Sequence, residues 1–179
     1  MKESDIIDLF DLMLEQLRDL YDGVNIKLRF LSKADEMADS EELDEMILAH
    51  KKQSHNQLER LEMVFSKLAV DPTGEECAGL KALTKESLKV AKRCKIPEVR
   101  DASLITSIQH IHHYEMAGYG TAIAYAKVLK RHDLAEILLN NLREDKDADN
   151  SLSDLAIKEI NLSATWDTLI SNLQEDLNS

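Results

Sequence analysis

Gln109-His-Ile-His-His-Tyr-Glu-Met-Ala-Gly-Tyr-Gly120 places metal-capable side chains in the middle of a stretch that otherwise reads as a long buried helix. On a helix, residues three and four apart share a face, so Ile108, His112, Glu115 and Tyr119 form one stripe, with Ile111 and Gly118 beside it. An imidazole and a carboxylate therefore point where leucine is expected. His110 and His113 flank that stripe, and because neighbours on a helix diverge by about 100°, at least one of them is read as solvated or packed at a helix contact. Gly118 and Gly120 are read as places of close helix approach.

Outward from this stretch the helical periodicity continues. Pro97 suits the first turn of a helix, and Leu104, Ile108, Ile111, Ala122, Tyr125 and Leu129 carry that helix to about Lys130. Asp133 with Glu136 has the spacing of a capping box, and Leu134, Leu138, Leu142, Leu152, Leu155 and Ile160 define the next long helix. Toward the amino terminus, Ile6, Leu9, Phe10, Met13, Leu17, Leu20, Val24, Leu28 and Leu31 predict a first long helix from Asp5. Asp39 or Ser40 can cap a second one carrying Leu43, Ile47, His50, Ser54, Leu58, Leu61, Phe65 and Leu68. Asp71-Pro-Thr-Gly74 is a turn, after which Thr73 and Glu76 can box the start of a shorter helix running to about Lys92.

The expected fold is therefore all-α: an antiparallel four-helix bundle with a crossover containing a short extra helix, the ferritin-like plan. It occupies residues 1–162, and 163–179 form a tail in which Trp166, Leu169, Ile170 and Leu173 can make a final short helix. A weak internal repeat agrees with two hairpins: Tyr21-Asp22 precedes Gln53 and Gln57 much as Tyr114-Glu115 precedes Asp145 and Asp149. Composition supports helix over sheet, since only 5 Gly and 2 Pro interrupt 179 residues rich in Leu, Ala, Glu and Lys.

Several function classes are excluded by composition and motif. A net charge of −12 disfavours nucleic acid and anionic membrane as partners, because both reward clustered Lys and Arg. No run of about 18 apolar residues occurs and the amino terminus has no apolar signal core, so a cytoplasmic protein is expected. Cys77 and Cys94 lack zinc-site spacing and are read as free thiols. With no Gly-x-Ser-x-Gly and no glycine-rich phosphate loop, no catalytic residue and no organic cofactor site is assigned.

The helical faces converge at mid-bundle on His50, Gln53, Ser54 and Gln57, on His112 and Glu115, and on Asp145 and Asp149. The first helix offers only Val24 at this level. Buried carboxylates need a metal, a proton, a cationic partner or mutual hydrogen bonds. Two readings meet that need: a metal held by His112, Glu115, Asp145 and Asp149, with His50 as a further imidazole, or an ion-free hydrogen-bonded layer.

The segments Leu17-Arg-Asp-Leu-Tyr-Asp22, Glu59-Arg-Leu-Glu62, Val99-Arg-Asp-Ala-Ser-Leu104, His113-Tyr-Glu-Met-Ala-Gly-Tyr-Gly-Thr121 and Asp154-Leu-Ala156 carry a strong resemblance. The chain resembles the YciF/YciE-like family of ferritin-like bacterial stress proteins from about Leu17 to Asn161. The resemblance implies a bundle, commonly a homodimer, with a carboxylate-rich di-metal site. It also implies that relatives carry glutamate where this chain has Val24, Gln53 and His112, and His or Gln at Gln57. Glu115 and Asp149 are kept, and Asp145 replaces a glutamate. A dinuclear site of this kind uses about four carboxylates and two histidines, so the expectation here is a degenerate site holding at most one iron, manganese or zinc ion. The leading functional expectation is a stress-associated binding or structural protein. The alternative is a non-haem iron or manganese oxidase, or a peroxide-scavenging enzyme, with a remodelled site. A third expectation makes the region near Trp166 and Leu173 a homodimer surface.

Overall fold

The computed structural model describes residues 5–165 and residue 170. Its helices are α1 (Leu9–Asp35), α2 (Glu41–Leu68), α3 (Ala78–Ala91), α4 (Pro97–Val128) and α5 (His132–Leu155). The last runs on into a π-helical turn, Ala156–Ile160, and a short α6, Asn161–Ser163. No strand occurs among the described residues. Nor is any described helix long and apolar enough to cross a membrane. Of the expected final helix only Ile170 lies within the described residues; Trp166, Leu169 and Leu173 lie outside them.

Helix starts follow local hydrogen bonding, and three of them differ from the sequence reading. α1 starts at Leu9, later than expected, because the Asp8 carboxylate accepts from Asp11 N at 2.9 Å and fixes the first turn there. Ser40 caps α2, its Oγ accepting from Leu43 N at 3.3 Å. The Thr73–Glu76 capping box is not formed. Asp71 Oδ1 takes both the Thr73 amide and its hydroxyl, at 2.7 and 2.6 Å, and α3 begins only after Cys77. Asp133 is likewise not a cap: α5 starts at His132, and the Asp133 carboxylate accepts from Arg131 Nε at 3.2 Å.

The buried positions of the long helices alternate between three- and four-residue spacing, as required of helices packed side by side. Along the innermost stripe these include, on α1, Met13, Leu17, Leu20, Val24, Lys27, Leu31 and Ala34, and on α2, Leu43, Ile47, His50, Ser54, Gln57, Leu61 and Val64. On α4 they include Asp101, Leu104, Ile108, Ile111, Glu115, Gly118 and Ala122; on α5, Leu134, Leu138, Asn141, Asp145, Ala148, Leu152 and Leu155. α1 packs on α2 and α4, α5 packs on α4 and α2, and α3 lies against α1 and α4.

The apolar interior is in two parts. One joins the start of α1 and the end of α2 to the end of α4 and the start of α5, through residues such as Leu17, Leu61, Ala122 and Leu138. The other joins the opposite ends, through Leu31, Ile47, Ile108 and Leu152, and takes in Leu80 of α3. Between them the seam positions are polar on α1, α2, α4 and α5.

Most segments that carry the family resemblance clamp helices together. Asp101 accepts from the backbone amides of Asp39 and Ser40 at 3.1 and 2.8 Å, and Arg100 Nε donates to Met37 O at 2.7 Å, fixing the α1–α2 turn to α4. Asp22 accepts from Cys77 N at 2.9 Å, and Asp19 accepts from the Tyr114 hydroxyl at 3.0 Å, fastening the start of α3 and the face of α4 to α1. Arg60 forks onto Glu144 with two bonds of 2.7 Å, joining α2 to α5. Gly118 is the contact point of α1 and α4, where an added Cβ would lie 2.8 Å from Leu20 Cδ2. Gly120, read from sequence as a second such point, has nothing within 4 Å of an added Cβ.

Candidate functional site

The polar layer contains a residue that the sequence reading did not place in it. Lys27 of α1 lies one helical turn beyond Val24, in the interior, and its Nζ donates to Gln57 Oε1 at 2.7 Å and to Glu115 Oε2. Asp145 Oδ1 completes the surroundings of the ammonium at 3.6 Å. The expectation that the first helix supplies only Val24 is therefore corrected. The spacing itself carries the signal, since Leu20, Val24, Lys27 and Leu31 keep the register of the buried stripe whereas Leu28 falls beside it.

The other members close around this pair. Gln57 Nε2 donates to Asp145 Oδ1 at 2.9 Å, so one amide links lysine to aspartate. His112 Nδ1 lies 3.2 Å from the same oxygen. Its ring meets that of His50 edge to face, with centroids 5.1 Å apart. Asn141, also missed from sequence, donates to Gln57 O and to the Tyr119 hydroxyl, both at 3.1 Å, and accepts from Arg60 Nη1 at 3.0 Å. Exposure is 1 % for the Lys27 side chain, 2 % for His112 and 0 % for Glu115 and Asp145.

Of the four residues expected to hold a metal, His112, Glu115 and Asp145 come together, with one potential ligand atom from each within 4.8 Å of the others. Asp149 stands apart, half-buried, where Gln109 Nε2 donates to it at 3.2 Å and His113 Nε2 approaches at 3.4 Å. His113 and His110 are both exposed, and Gln53 is half-buried. His50 and Ser54 are buried beside the layer, although Ser54 Oγ is spent on His50 O at 2.8 Å.

Charge in the layer follows from burial and pairing. Desolvation works against the Lys27 ammonium, but Glu115 and Asp145 together hold its pKa above the ordinary lysine value. Burial also opposes ionisation of Asp145, and the Lys27 charge with the His112 and Gln57 hydrogen bonds outweighs it, lowering the pKa. Glu115 goes the other way: burial pushes its carboxyl up to about 8 despite Lys27, so it keeps its proton at neutral pH. Burial pushes His50 down to about 3 and lowers His112, leaving both rings neutral. With Asp145 ionised, the His112 proton sits on Nδ1. The layer is thus neutral, with Lys27 positive, Asp145 negative and Glu115 protonated.

Can the same residues accept a divalent ion? Four atoms, His50 Nδ1, His112 Nε2, Glu115 Oε1 and Asp145 Oδ2, are buried without a hydrogen-bond partner among the described residues, so donors are to hand. The charge does not fit. A doubly charged ion beside Lys27 and two carboxylates leaves an uncompensated positive charge in the interior, which is costly. Outside the layer, a cleft of about 430 Å³ on the α1–α4 seam is lined by Glu15, Asp19, Tyr114, Gly118 and Tyr125, but not by Lys27, Glu115 or Asp145.

The family described as "Domain of unknown function (DUF892)" matches residues 8–165. Protein YciF of Escherichia coli strain K12 is 33% identical over 155 residues, 86% of this chain and 93% of that protein. The crystal structure of the E. coli stress protein YciF superposes with a TM-score of 0.83 at 31% identity, covering 87% of this chain and 99% of that one. YcfI of Rhodopseudomonas palustris, designated a proposed structural protein, gives 0.82 at 35% identity over 86% of this chain and 98% of that one.

Proposed function

We propose, from the premise that the chain belongs to the DUF892 family and is YciF-like, that it is a stress-associated structural or binding protein and not an oxidase. On this reading it is a cytoplasmic homodimer built on a ferritin-like antiparallel four-helix bundle, with residues 163–179 as an appendage. The way the two apolar clusters pair the start of one helix with the end of the next supports that plan.

The observation that carries the functional reading is the closure of the polar layer. Lys27, Glu115 and Asp145 are buried and bonded to one another and to Gln57. A catalytic metal centre needs an open coordination position that substrate can reach, and here the carboxylates already face an ammonium from the chain itself. The segments that identify the family support the same view, because most of them hold helices in place.

Purified protein incubated aerobically with ferrous iron, and separately with hydrogen peroxide, tests this. Iron oxidation and peroxide loss at the protein-free rate are expected. Sustained turnover of either, proportional to protein concentration, would overturn the proposal in favour of the iron or manganese oxidase or peroxide-scavenging reading. The stress association is checked by viability of a strain lacking the gene under oxidative and osmotic challenge, where a defect is expected.

A further inference from the structure

We infer that the Lys27 ammonium is the built-in cation of the polar layer, and that an uncharged residue at this position uncovers a divalent-metal site formed by His112, Glu115 and Asp145.

Lys27 has the reach and the charge to do what an ion does in such a layer. It sits at a seam position of α1 and brings its charge to carboxylates of α4 and α5 and to a carbonyl oxygen of α2. Four elements are thus tied through one positive centre. A lysine left alone at that depth would be strongly disfavoured, and its partners make it tolerable. Its presence sets the ion preference by exclusion, because two like charges cannot share the same pair of carboxylates at low dielectric without a large penalty.

The ligand atoms outlast the loss of the lysine. His112 Nε2, Glu115 Oε1 and Asp145 Oδ2 are buried and lack hydrogen-bond partners among the described residues, so they are not consumed by the bonds that hold Lys27. One imidazole and two carboxylates form a ligand set suited to zinc, cobalt, manganese or ferrous ions. Removing the ammonium leaves the buried Asp145 carboxylate without its cation, which a divalent ion supplies. His50, whose ring contacts that of His112 and whose Nδ1 is also without a partner among the described residues, lies beside this set but is not grouped with it.

The experiment compares the wild-type chain with Lys27→Ala, Lys27→Met and Lys27→Arg. Each is equilibrated with zinc, or with cobalt as an absorbing probe, then dialysed and analysed for bound metal and for the visible cobalt spectrum. On the order of one ion per chain is expected in Lys27→Ala, with cobalt bands of low-symmetry coordination, and about 100-fold weaker binding in wild type and Lys27→Arg. Adding Asp145→Asn to Lys27→Ala should abolish retention. If wild type binds zinc as tightly as Lys27→Ala, the ammonium does not exclude the ion and the inference fails. It fails equally if the alanine and methionine variants retain no metal when folded, or if both are unfolded and zinc does not restore their helicity and melting transition. These outcomes are independent of the turnover assays, so a failure here leaves the structural reading standing and the reverse is also true.

Discussion

Lys27 of α1 and Asp145 of α5 form an ion pair 3.6 Å apart wholly inside the protein, 1 % and 0 % exposed, at the boundary between the two apolar clusters. Removing one partner of such a pair is more damaging than removing both, because the survivor is left buried without compensation. Lys27→Met should therefore lower the stability by about 3–5 kcal/mol. Adding Asp145→Leu should recover at least about 1 kcal/mol of that loss. Urea unfolding of wild type, both single variants and the double variant measures the coupling, and simple additivity would show that the two side chains do not depend on each other.

Glu115 also predicts a pH dependence opposite to that of an ordinary carboxylate. Its pKa is raised by burial from 4.5 to about 8, so the folded protein holds this proton more tightly than the unfolded chain does. The associated stability is fully present below the unfolded value and is lost as pH rises through about 8. His50 limits the acid side, because burial lowers its pKa from 6.5 to about 3: its contribution is complete above 6.5 and falls away as the pH drops toward 3. The urea midpoint should decline on both sides of a mildly acidic maximum. Glu115→Gln should flatten the alkaline decline and His50→Gln the acid one; unchanged profiles would remove these groups as the cause.

The helices were legible in the sequence because apolar spacing sets them, and Ser40 and Pro97 mark their own helix starts. The capping boxes at Thr73 and Asp133 do not form, and a local pattern cannot show that Asp71 captures Thr73 or that the chain turns at Lys130, where φ is 59°. At the site, His112, Glu115 and Asp145 were legible as polar residues on an apolar face. Lys27 is not legible as a core residue, because a lysine on an amphipathic helix is normally solvated. Its burial is decided by tertiary partners on three other helices, information that no single helical stripe contains. Asp149 follows Asp145 by one turn and so reads as part of the layer, yet drift along α5 brings it to Gln109 and His113.

The carboxy-terminal region predicts an assembly effect. Ile157 and Leu162 are 70 % and 59 % exposed at the end of the described helices, immediately ahead of the tail that holds Trp166 and Leu173. Exposed apolar side chains such as Ile157 and Leu162 are suited to covering by a second copy. Truncation after Asn161 should convert the proposed dimer to a monomer in light scattering with little loss of helical signal. A truncated chain that keeps its dimer mass would take the tail out of the contact.

Gly118 and Gly120 provide a paired test of how tightly α1 and α4 are packed. An alanine methyl at 118 would lie 2.8 Å from Leu20 Cδ2 and 3.3 Å from Gln16 Nε2. Leu20 is itself fully buried in the cluster of Leu17, Leu61 and Ala122, so it has little room to withdraw. The overpacking cost, about 1–3 kcal/mol, exceeds the gain of about 1 kcal/mol from replacing glycine within a helix, and Gly118→Ala should be destabilising on balance. At 120 the same methyl meets nothing within 4 Å, so only the helix term acts and Gly120→Ala should stabilise by up to about 1 kcal/mol. Thermal melts of the two variants should shift in opposite directions. A Gly118→Ala protein as stable as Gly120→Ala would mean that α1 and α4 separate at little cost, and that Tyr114 with Asp19, not the glycine contact, sets their distance.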